Sequence, residues 1–184
     1  MAVTSSTLAL GTPLPTFRLP DTLTGVEVAS EDFTGKALVV TFICNHCPYV
    51  LHILDALVQF GRDALEQGVP MVAISSNDIA TYPADAPPLM KALAEERKFP
   101  FPYLFDESQD VARAFGAECT PEFFLFDATL RLVYRGQFDS SRPSKDVAPT
   151  GEDLRAALTA LVTGQAPASE QRQSIGCSIK WRAK

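Results

Sequence analysis

Ala37-Leu38-Val39-Val40-Thr41-Phe42-Ile43-Cys44-Asn45-His46-Cys47-Pro48 decides the reading of this chain. From Ala37 to Ile43 nearly every position is apolar, the pattern of a central strand covered on both faces. From Tyr49 to Gln67 the pattern becomes that of a long helix. His52, Asp55, Gln59, Arg62 or Asp63, and Glu66 recur every three or four residues and make one narrow polar stripe. The remaining positions, Leu51 and Leu65 among them, are expected to face a sheet, and Gly68 ends the helix. Two cysteines three residues apart thus fall where a strand runs into a helix. They can close a small disulfide ring and reopen it.

Working outward, Val69 to Ser75 reads as the next strand and completes a βαβ unit. Upstream, Phe17 to Leu19 and Val26 to Ala29 read as a short hairpin turning through Asp21 and Gly25. Downstream, a proline-rich loop leads into a helix that Asp85 caps and that runs to about Lys98. Pro102 to Phe105 suits a short strand. A short helix through Val111, Ala112 and Phe115 follows, capped by Asp106 or Ser108. Phe123 to Phe126 and Leu130 to Phe138 form an antiparallel hairpin about Asp127-Ala128-Thr129. Gly151 to Val162 is the last helix, with Leu154, Ala157, Leu158, Leu161 and Val162 inward. The tail, 165–184, is polar except for Ile175 to Trp181, which alternates and reads as an extended segment that docks. The class is α/β, one domain over 1–184.

Composition sets bounds. The formal net charge of −6, with no Lys/Arg cluster, argues against non-specific nucleic-acid binding. No stretch has the ~20 apolar residues of a membrane span. The opening residues, 1–7, lack the basic and apolar regions of a secretory signal, so the expected compartment is the cytoplasm. Cys44, Cys47, Cys119 and Cys177 are too few for a disulfide scaffold, and a cytosolic pair is more often catalytic or metal-binding.

A thiol becomes a nucleophile when it ionises, and a helix N-terminus favours the thiolate. The spacing puts Cys44 at that end as the attacking sulfur, with Cys47 resolving the mixed disulfide. This chemistry needs at least one of the two sulfurs to reach solvent. His46, lying between them, lowers the first pKa when protonated and so tunes the couple; Asn45 adds a polar contact. The rival is a zinc or copper site from Cys44, Cys47 and one or both of His46 and His52. A second Cys pair is absent, and His52 reads as a solvated helix residue, so no metal is assigned.

Asp21 through Gly25, Asp32-Phe33-Thr34-Gly35-Lys36, Leu38 to Phe42 and the paired cysteines resemble the redoxin branch of the thioredoxin superfamily, which includes TlpA/ResA-like and AhpC/TSA proteins. The resemblance spans roughly Thr16 to Val162. It implies a thioredoxin fold, a central mixed sheet flanked by helices, with the N-terminal hairpin and C-terminal tail as additions. It also implies a cis-proline loop facing the dithiol. Thr120-Pro121 matches that loop, with Thr120 offering backbone hydrogen bonds to a substrate chain. Cys119, two residues before Pro121, then lies near the dithiol, and Cys119 and Cys177 are candidates for a second redox pair or relay.

Two departures stand out. The strand before the dithiol lacks the buried Asp of thioredoxins, leaving His46, Glu122 or water to take the Cys47 proton. Thr41 has the spacing of a peroxiredoxin Thr, but Ala37 stands where those proteins have Pro, and their Arg can be any of Arg97, Arg113, Arg131 and Arg135.

The leading expectation is a thiol-disulfide oxidoreductase that uses no organic cofactor and exchanges electrons with dithiol proteins or small thiols. A peroxidase would instead oxidise Cys44 to a sulfenic acid, captured by Cys47, Cys119 or Cys177. A metal-binding protein on the same fold is the third reading.

Overall fold

Strand β4 (Leu38–Phe42) is buried along its whole length and sits at the centre of a five-stranded sheet. Its neighbours are β5 (Met71–Ser75), parallel, and β8 (Glu122–Phe126), antiparallel. Beyond them lie β6 (Tyr103–Phe105) and β9 (Leu132–Gly136), giving the order β6-β5-β4-β8-β9. This is the central mixed sheet implied by the resemblance. The structure, a computed structural model, describes residues 2–4 and 8–183; residues 1, 5–7 and 184, parts of the opening stretch and of the tail, lie outside the described residues.

Side chains alternate across a strand, so β4 feeds two cores. Val39 and Ile43 pack with α1 (Pro48–Glu66), α2 (Pro87–Arg97) and α4 (Glu152–Val162). Leu38, Val40 and Phe42 face the opposite side, with α3 (Asp110–Ala114) and the hairpin of β2 (Arg18–Pro20) and β3 (Glu27–Ala29). That hairpin turns as expected: Asp21 O accepts from Gly25 N at 2.8 Å, and Asp21 Oδ2 accepts from Thr24 Oγ1 at 2.7 Å.

Helix α1 is the anchor of the candidate site. Val50, Ile53, Leu54, Leu57, Val58 and Phe60 are buried, each contributing roughly 1.5–3 kcal/mol. Leu51 and Leu65 are exposed, contrary to expectation; the helix beds on one face only and its flanks stay wet. The same holds for α4, where Leu154, Ala157 and Leu158 are buried while Val162 is exposed and Leu161 only partly covered.

The tail docks as strand β10 (Ile175–Ser178), between β1 (Ala2–Thr4) and the two-residue β7 (Cys119–Thr120). Among the described residues no helix is long and apolar enough to cross a membrane.

Candidate active site

The backbone leaves β4 with Ile43 N donating to Ile74 O at 3.0 Å, turns through Cys44 to Cys47, and enters α1. The N-cap is Cys47, with Pro48 in the first turn and Leu51 N donating to Cys47 O at 2.9 Å. This corrects the sequence expectation that Cys44 sits at the helix mouth. Pro48 has no N–H to lose and its φ suits the first helical position, so the helix begins there and not three residues earlier.

The two side chains lie in one turn and shift each other's ionisation. Their mutual interaction is the largest influence pulling the Cys47 thiol down to about 5, helped by the Thr120 and Cys177 side chains and the Val50 N–H against the cost of burial. It is also the largest influence raising Cys44, reinforced by burial and by the neighbouring Asp85. The sulfur at the helix mouth therefore ionises first, and it is Cys47. When Cys47 is protonated it donates to Thr120 O at 3.1 Å; Cys44 Sγ lies 3.5 Å from Thr120 Oγ1.

Neither sulfur reaches solvent: Cys44 is 1% exposed and Cys47 0%. The expectation that one would be open is overturned. The segment from Ser76 to Ala86, between β5 and α2, is bonded to the dithiol turn through Asp85. Its side chain, fully buried, accepts from Asn45 N at 2.8 Å and from Asn77 Nδ2 at 2.8 Å, and lies 2.7 Å from His46 Nδ1. The His46 ring stacks on Tyr82 at 5.4 Å, and Asn45 donates to Ala84 O at 2.9 Å. Asp85 was expected to cap α2; the N-cap is Ala86, without a side-chain bond, because the Asp85 side chain is drawn into the dithiol turn. The tail ties the segment down further, with Lys180 N donating to Asn77 Oδ1 and Asp78 N to Lys180 O, both at 2.8 Å.

Asp85 and Asn77 are the site residues that sequence reasoning missed. A signal was available. β4 and β5 are adjacent and parallel, so the loops leaving their C-terminal ends must meet, and sites in such sheets lie at that end.

The Thr120-Pro121 bond is cis, as the resemblance implies, and Thr120 contacts both sulfurs. Pro121 and His52 line a small groove with Tyr49, Phe138 and Ser174. Cys119 is fully buried; burial and the nearby Glu122 push its thiol up and keep it protonated. Glu122 serves Arg135, at 2.6 Å, and the Glu118 N–H, at 3.0 Å, not the dithiol. Cys177 is half-buried on β10, opposite Thr120 and packed against the core that holds Cys44 and Cys47.

The arginines expected of a peroxidatic pocket are engaged elsewhere. Arg97 pairs with Asp55, Arg113 lies over Trp181, Arg131 donates to Gly11 O, and Arg135 pairs with Glu122. Thr41 Oγ1 donates to Glu122 O at 3.0 Å.

Cys44, His46 and Asp85 bring three metal-ligating atoms within 4.8 Å of one another. The His46–Asp85 contact of 2.7 Å is nevertheless shorter than the roughly 3.3 Å between two ligands of one tetrahedral ion with bonds of about 2.0 Å. The group is a close imidazole–carboxylate contact beside a thiol, and His52 lies outside it.

A mixed sheet with paired thiols where its central strand meets a helix, facing a cis-proline, defines a dithiol protein of thioredoxin fold. The chain belongs to the AhpC/TSA family, whose model matches residues 10–135. Among solved structures it is similar to an uncharacterized conserved protein from Geobacillus kaustophilus (49% identity, 100% of this chain and 98% of that one, TM-score 0.97). It is also similar to a hypothetical protein from Sinorhizobium meliloti 1021 (44%, 98% and 99%, TM-score 0.95). A thiol:disulfide interchange protein from Chlorobium tepidum TLS shares the fold (20%, 85% and 99%, TM-score 0.64). No curated protein matches. Family and fold together support a redox function in general terms.

Proposed function

We propose that this protein is a thiol-disulfide oxidoreductase that cycles Cys44 and Cys47 between dithiol and disulfide, exchanging electrons with dithiol proteins or small thiols. Because both sulfurs are covered, the exchange requires the segment from Ser76 to Ala86 to open or a neighbouring thiol to relay it. The observation that carries the reading is the placement of both sulfurs in one turn at the mouth of α1, each against Thr120 of the cis-proline loop, with Cys47 favoured as the thiolate. A pair already in contact needs little rearrangement to form its bond. The low Cys47 pKa also makes that sulfur the better leaving group when the disulfide is reduced. His46 and Asp85 sit beside Cys44, placed to move a proton as it is released. Thr120 borders both sulfurs, but it is buried and paired with Cys177 of β10, so the place the resemblance gives to a substrate chain is filled by the protein's own tail. The engagement of all four candidate arginines disfavours the peroxidase reading.

Air- or diamide-oxidised protein, alkylated and digested without reductant, is expected to yield a Cys44–Cys47 linked peptide that dithiothreitol removes. Reduction of a model disulfide such as insulin should be lost in both Cys44→Ala and Cys47→Ala. Full activity in either variant overturns the proposal. Rapid thiol-dependent consumption of hydrogen peroxide with a sulfenate at either sulfur favours the peroxidase instead.

A further inference from the structure

The two sulfurs of the couple are covered, yet a third thiol beside them is partly open. In β10, Cys177 stands opposite Thr120 in the β7 pairing, the residue whose carbonyl lies 3.1 Å from Cys47 Sγ, and it packs against the core that holds Cys44 and Cys47. Cys47 is thus flanked by two thiols, Cys44 within its own turn and Cys177 from the tail. The closeness of the tail is built in. A Cβ on Gly176 would fall 2.0 Å from Thr120 O, so only glycine lets β10 lie this near the cis-proline loop. Cys177 lies outside the family match of 10–135, so nothing in that match assigns it a role. Burial and the Cys47 neighbour hold its thiol up at about 11, and Lys180, whose Nζ is held at Ser178 O at 2.8 Å, works in the other direction.

We propose that Cys177 is the outlet of the buried dithiol, the thiol through which an external reductant reaches the disulfide. The proposal rests on the reading of Cys44 and Cys47 as a redox couple. In the first step the Cys177 thiolate attacks Cys47 Sγ of the Cys44–Cys47 disulfide. The Cys47–Cys177 bond forms, the Cys44–Cys47 bond breaks, and no net electrons move. The Cys177 proton is released to solvent and Cys44 takes one up through His46. In the second step a thiolate of an external dithiol attacks Cys177 Sγ, and Cys47 leaves as the thiolate. The second thiol of the reductant then attacks the mixed disulfide, releasing Cys177. The reductant ends as a disulfide, and the protein has gained two electrons. The thiolate-stabilising surroundings of Cys47 make it a good leaving group in the second step. The Cys47 charge that raises Cys44 is absent while Cys47 is bonded, which eases the departure of Cys44 in the first.

Two experiments test this. In Cys44→Ser, and in Cys44→Ala should the serine variant fold poorly, Cys47 keeps Cys177 as its contact partner. Diamide oxidation, alkylation and non-reducing peptide mapping are expected to find a Cys47–Cys177 link within the monomer in most molecules. Recovery of both as alkylated thiols, or of Cys47 joined to Cys119, overturns the proposal. Wild type treated alongside must give the Cys44–Cys47 link. If it does not, the couple itself fails and the outlet with it; if it does and the variant gives no Cys47–Cys177 link, only the outlet fails. The second experiment follows reduction of oxidised wild type and Cys177→Ser by a thioredoxin-class dithiol protein. The variant is expected to react at least tenfold more slowly, and equal rates overturn the proposal.

Discussion

Replacing Asp85 with alanine tests how the dithiol turn is held. The Asp85 side chain is fully buried and receives the Asn45 N–H and the Asn77 amide at 2.8 Å, with His46 Nδ1 2.7 Å away. Alanine leaves those two buried donors without acceptors, at about 1–3 kcal/mol each, or about 2–6 kcal/mol in total. With an m-value of about 2 kcal/mol/M the urea midpoint falls by about 2 M. Asp85→Asn keeps the shape and one acceptor oxygen but turns an amide donor toward other donors, so its loss falls between wild type and alanine. The same substitution loosens the segment from Ser76 to Ala86, and it removes a neighbour that raises the Cys44 thiol. Alkylation of Cys44 in the reduced protein by iodoacetamide should therefore speed up at neutral pH. Urea unfolding and timed mass spectrometry of the alkylated peptide read the two effects. An alanine variant with the wild-type urea midpoint and wild-type alkylation rate would refute the reasoning, because the carboxyl would then be holding nothing.

Two further outcomes are expected. Thiolate absorbance at 240 nm in the reduced protein should rise by one thiolate through about pH 5, a step lost in Cys47→Ala and moved upward in Cys44→Ala, since Cys44 is the largest lowering influence on Cys47. Since the depressed value belongs to the folded state, this thiolate's contribution to stability is complete above the ordinary thiol range of about 8.5 and disappears as pH falls toward 5. Separately, Arg135→Met should cost about 3–5 kcal/mol in urea unfolding by stranding Glu122 in the core, with the double variant Arg135→Met/Glu122→Leu recovering much of that loss.

What was legible in the sequence and what was not divide along a physical line. The strand at Leu38–Phe42, the helix after it, the hairpin around Asp127 and the docking of the tail as β10 all follow from periodicity and turn chemistry, which act over a few residues. The helix was legible as an element, but its first residue was set by Pro48, and that moved the favoured thiolate from Cys44 to Cys47. The burial of Leu38 and Val40 was readable from apolar character, whereas that of Asp85 was not, since an acidic residue among prolines has the composition of a solvated loop.

The unread part of the site has one cause. Each missing contact joins segments far apart in the chain: Asp85 to Asn45, Lys180 to Asn77, Cys177 to Cys47. Such pairings depend on which loops share an end of the sheet and which edge receives the tail. The parallel pairing of β4 with β5 forces the first, because two adjacent parallel strands must send their outgoing loops to the same side. The second needs β10 to seat on β7, and Gly176 is the residue that permits it. A polar residue in the loop after β5 and a cysteine beside a glycine in the tail therefore acquire meaning together once the topology is known. Both converge on the same pair of sulfurs, Asp85 from the side that favours a protonated Cys44 and Cys177 from the side that favours an ionised Cys47.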